Sequence, residues 1–168
     1  MNTMKIAKLS QVKPNSYMID FSEAESSLGF QLCSSIKSLY TRVYGCTGKG
    51  SLKSLIIMPQ NNKWDTWFSF NETECDQNEF FLTMPHASQV VNQFIIKGFL
   101  EWTGGNDFGR RMMIGTLLLN IGSIPILINN DTNQVEWIDC DYGHFEIYEE
   151  NPNGVFADSI DDFLKMFV

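Results

Sequence analysis

Between Met112 and Tyr148 the chain offers four short apolar runs, Met112–Asn120, Ile124–Asn129, Gln134–Asp139 and His144–Tyr148, joined by connections of two to five residues. A parallel crossover needs a dozen residues or more, so links this short dictate antiparallel neighbours in a meander. The links carry turn chemistry at Gly122-Ser123, Asn129–Asn133 and Asp141–Gly143. In the last run the pleat puts Phe145 and Ile147 on one face and His144, Glu146, Tyr148 and Glu150 on the other.

The period differs upstream. Residues 1–20 form an irregular leading segment with a turn at Lys13-Pro14-Asn15-Ser16. Ser22-Glu23-Ala24-Glu25 has capping-box spacing, and Gly29 follows Leu28 as a stop. From Ser34 or Ser35, the residues Ile36, Leu39, Tyr40 and Val43 repeat at helical spacing until Gly45, so residues 22–45 read as a helical hairpin. Residues 52–150 read as sheet, with runs at Leu52–Met58, Thr66–Phe70 and Phe80–Met84 ahead of the meander. A helix over 86–98 is inserted there, with Ala87, Val90, Val91 and Phe94 as its stripe and Gly98 as its terminator. Ile160, Phe163, Leu164 and Phe167 mark a C-terminal helix over 158–167, capped by Asp158 or Ser159 and with Asp161 and Asp162 favoured in its first turn by the helix dipole. The expectation is one α+β domain: a mainly antiparallel or mixed, twisted sheet of about six strands with helices mainly on one side. A chain of 168 residues buries roughly 70% of its unfolded surface in such a domain.

Charge narrows the partners. Residues 112–168 hold ten Asp or Glu against Lys165 alone, a net −9, whereas the preceding 111 residues come to +1. A one-signed surface repels nucleic acid and anionic lipid and attracts basic partners. Arg110-Arg111 is the only basic pair, too little for a phosphate-binding face, and reads as a solvated strand end. The N-terminus lacks the apolar core of a secretory signal, and no apolar stretch approaches the ~20 residues of a membrane span. A cytoplasmic protein with reduced thiols is therefore expected, with Asn71-Glu-Thr73 a chance glycosylation triplet.

Few residues offer chemistry. Cys33, Cys46, Cys75 and Cys140 form no Cys-x-x-Cys and accompany only His86 and His144, which disfavours zinc; as isolated thiols they read as small core residues. Asp139, Asp141 and His144 could hold a divalent ion, although a polar turn explains them as well and no second acidic motif supports a site. Gly104-Gly105-Asn106-Asp107-Phe108-Gly109 lacks the Lys-Ser/Thr of a phosphate-cradling loop. Trp64, Trp67, Phe68, Phe70, Phe80 and Phe81 are a binding patch or, at strand spacing, core. No catalytic residue, metal or cofactor is expected. Helix chemistry accounts for Asp158, Asp161 and Asp162, which leaves a smaller acidic set around residues 136–150 as a candidate partner surface: Asp139, Asp141, Glu146, Tyr148, Glu149 and Glu150.

Two segments carry a resemblance. Glu25-Ser-Ser-Leu28-Gly29-Phe-Gln-Leu32-Cys33, running into Ile36, Leu39-Tyr40 and Gly45, looks like the Glu, Leu-Gly and Leu-Pro elements of the SUKH superfamily, with Cys33 where that family usually has Pro. Ile124–Ile128, the Asn130–Asn133 turn, Val135-Glu-Trp137 and Ala157-Asp-Ser159-Ile160-Asp-Asp-Phe163-Leu164 resemble its closing hairpin and final helix. Residues 59–111 match none of its patterns. The superfamily includes yeast cell-wall-synthesis regulators and bacterial immunity proteins, and has no shared catalytic residue. The resemblance implies a protein-binding domain, foremost an immunity protein occluding a basic toxin domain such as a nuclease. The alternatives are a regulatory adaptor in envelope synthesis and a small metal-dependent enzyme built on Asp139, Asp141 and His144.

Overall fold

The computed structural model describes residues 18–43, 48–50, 55–57, 68–70, 79–82, 90–119, 122–140, 151 and 153–165. Helices α1 (Ser22–Leu28), α2 (Ser34–Val43), α3 (Val91–Thr103) and α4 (Ile160–Lys165) accompany strands β1 (Gly48–Gly50), β2 (Leu55–Ile57), β3 (Phe68–Phe70), β4 (Glu79–Leu82), β5 (Arg111–Leu119), β6 (Gly122–Asn129), β7 (Val135–Ile138) and β8 (Asn153–Ala157). The architecture is α+β. Strands pair in the order β1-β4-β5-β6-β7-β8, each pairing antiparallel, while β2 and β3 pair with one another. The short connections thus produce the antiparallel succession from β5 to β7.

Register divides the side chains between two faces. Met112 lies opposite Ile128, and Val135 opposite Ile128 on the other flank. With Ile124, Ile126, Trp137 and Ile114 these residues form the core that receives Ala24, Ile36, Leu39, Tyr40, Val91, Ile95, Ile160 and Phe163 from the helices. Between Met113 and Gly115 the register slips, which makes Ile114 the extra residue of a β-bulge that keeps its side chain in this core. The other face is not left to water. Leu127 and Ile138 are fully buried there, and all four residues of β7 are buried, so the one-face alternation of a half-exposed strand does not apply to it.

The helices depart from their sequence signals in instructive ways. Ser22 does not cap α1: its own N–H donates to Asp20 Oδ1, and the helix begins from Phe21 without a side-chain cap. Glu25 does not turn back either. Its Oε1 accepts from the Leu32 N–H at 2.9 Å and meets Lys37 Nζ at 2.7 Å, which ties α1 to α2 across the Gly29 turn. Gly29 itself is the expected left-handed cap, with φ 77°. The inserted helix is displaced from 86–98 to Val91–Thr103, so Gly98 is interior and Gly104, at φ 55°, ends it. Helix α4 follows expectation: Ser159 Oγ accepts from the Asp162 N–H and donates to its carboxylate, a reciprocal cap.

Long-range amides hold these pieces together. Asn92 on α3 accepts from the Ala24 N–H and donates to Asp20 O, clamping the start of α1. At the N-terminus of α2, Cys33 N–H donates to Asn130 Oδ1 and Ser35 N–H to Asn133 Oδ1, at 2.7 and 2.8 Å. The β6–β7 turn therefore supplies the cap of a helix almost a hundred residues upstream. Asn133 sits at φ 68°, a conformation that Asn tolerates better than most residues. Ser35 Oγ closes the junction by donating to Asn133 O and accepting from the Ile160 N–H of α4.

Candidate functional site

The one described member of the acidic set does not lie on a surface. Asp139 follows β7 and is only 6% exposed, beside Asn151 and Asn153, also buried; the Asn151 amide donates to Asp139 O at 2.8 Å. A partner-facing carboxylate at Asp139 is thus replaced by an interior one. Asp141, Glu146, Tyr148, Glu149, Glu150 and His144 lie outside the described residues, as does the strand expected over His144–Tyr148. So do the side chains of Trp64, Trp67, Phe68, Phe70, Phe80 and Phe81.

Glu136, at the edge of that set in sequence, is also internal. It is 3% exposed on β7, where it accepts from Arg111 Nε and Asn129 Nδ2, both at 2.7 Å. Register makes this possible: Arg111 is opposite Asn129, and Glu136 is opposite Leu127, two residues along the same face. Arg111 also donates through Nη1 to Phe108 O. Gly109, at φ 67°, lets the loop pass beside this guanidinium, since a Cβ there would come within 2.9 Å of Nη1. Arg110 pairs with Asp131 and lies over the Phe30 ring at 5.8 Å. The basic pair expected at a solvated strand end is therefore divided between an interior ion pair and a half-exposed one, and both arginines are engaged within the chain. A buried charge in a strand would have flagged Glu136 in the sequence, but its partner stands 25 residues earlier and no local spacing reveals it.

Other ionisable groups serve structure. Burial raises the Cys33 thiol above its ordinary range, which keeps it protonated and a poor nucleophile at neutral pH. Burial likewise raises the Tyr40 phenol. Among the described residues no cluster of three His, Cys, Asp or Glu could hold a metal ion, and no helix is long and apolar enough to cross a membrane.

The open feature is a groove of about 460 Å³ between α3 and β5. Phe94, Gly98 and Trp102 come from successive turns of α3, while Met112, Met113 and Gly115 come from β5 at its bulge. Lys97 and Glu101 complete the lining, paired at 3.5 Å and largely exposed. Behind the groove, Phe94 meets Tyr40 edge to face at 5.9 Å and Trp102 leans on Phe108 at 5.6 Å, which fixes two of the rings. Gly98 is the informative member. A helix-interior glycine costs about 1 kcal/mol relative to alanine, and among the described residues no heavy atom lies within 4 Å of the place its Cβ would take. Close packing against the described residues therefore does not require it. Sequence reasoning read Gly98 as a terminator, but the α3 stripe continues past it to Trp102.

A scan against protein-family models and a search of curated proteins returned no match to this chain.

Proposed function

We propose that this chain is a non-catalytic protein-binding domain of the SUKH type, an immunity protein that neutralises a basic toxin domain by covering it. The observation that carries the reading is the charge balance of the C-terminal third once its pairs are known. Residues 110–168 contain ten acids against Arg110, Arg111 and Lys165, a net −7. Arg110 and Arg111 are already engaged by Asp131 and Glu136, so they lend no basic patch to the surface. Such a segment favours a cationic partner and speeds encounter with it. The resemblance supports the same reading, and its two segments meet at one junction, where Cys33 and Ser35 join Asn130, Asn133 and Ile160. On this reading, in a sheet of about six strands with helices mainly on one side, Asp141, Glu146, Tyr148, Glu149 and Glu150 are the candidate docking residues.

The test is a triple reversal, Glu146→Lys, Glu149→Lys and Glu150→Lys, followed by association kinetics with the toxin domain encoded beside this gene. Association at low salt should slow by roughly tenfold or more and lose much of its salt dependence. Unchanged rate and salt dependence would remove the electrostatic mechanism, and the lack of any such neighbouring toxin would favour the adaptor reading.

A further inference from the structure

We draw no further inference here: the strongest candidate, the buried polar cluster of Asp139, Asn151 and Asn153 at the Ile138–Asn153 end of the β7–β8 pair, rests on one amide oxygen, Asn151 Oδ1, that lacks a hydrogen-bond partner among the described residues, and nothing in the structure shows which ligand would cover it.

Discussion

The β6–β7 turn and the α3–β5 groove are built on opposite principles. Around the turn, polar groups close on one another: Asn129 on Glu136, Asn130 on Cys33, Asn133 on Ser35, and Arg110 on Asp131. Along the groove, Phe94 and Trp102 line a space into which α3 places no side chain at Gly98. A saturated polar hub has little left to offer a ligand, whereas a glycine inside a helix forgoes stability that alanine would supply. Substitutions that remove a partner at the hub should therefore cost stability, whereas Gly98→Ala should add it.

The sharpest break should come at Arg111. Replacing it with Met leaves Glu136 buried without its cation, and a stranded charge of this kind costs about 3 kcal/mol or more. Urea unfolding of Arg111→Met should show that loss as a lower midpoint with an unchanged slope. Adding Glu136→Met should restore most of it, because the double variant removes the cost of desolvating both charges. Additive losses would mean that each residue is held by partners other than the other.

That pair also shows where sequence reasoning runs out. Helix α2, Gly29 and the Ser159 cap are written in neighbouring residues, so local spacing finds them. Strand β7 is legible from its short connections, but burial on both of its faces is not, so Glu136 and Asp139 look like surface acids. The terminator assigned to Gly98 fails because its propensity cost is small beside the burial of Val91 and Ile95 around it. The capping box at Ser22 fails because Glu25 finds an ammonium and a backbone donor across the turn, which together outweigh a local cap. Strands β1 and β8, with sequences Gly-Lys-Gly and Asn-Gly-Val-Phe-Ala, are too short and glycine-rich to show a period and exist through their neighbours. For Glu136, β1 and β8 the missing information is a contact distant in sequence.

Asn133 tests the neutral part of the hub. Alanine there loses the bonds to Ser34 Oγ and the Ser35 N–H and also places a Cβ at φ 68°, for a combined cost of about 2 kcal/mol. Glycine keeps the backbone conformation at ease and loses only the cap, about 1 kcal/mol. The order alanine worse than glycine, by chemical denaturation, would establish that the turn acts both as a shape and as a cap. Equal costs would assign the whole effect to the side chain.

Glu25 carries the smallest effect, because its partner Lys37 is partly in water. Glu25→Gln should cost roughly 0.5–1 kcal/mol at neutral pH and low salt, with less at high salt. The pH dependence has a definite sign. The Lys37 hydrogen bond, helped by the Leu32 N–H against the opposing effect of burial, holds the Glu25 carboxyl below its ordinary value of 4.5. The folded state therefore releases this proton more readily than the unfolded chain, so the stabilisation is full above about pH 4.5 and is lost as pH falls through the lowered folded value. Denaturation of both proteins at pH 7 and again well below 4.5 should show the gap closing in acid. A gap that survives there would mean that Glu25 holds the hairpin by shape and hydrogen bonding, with its charge incidental, and that this tie works as the partly buried amides around Asn133 do.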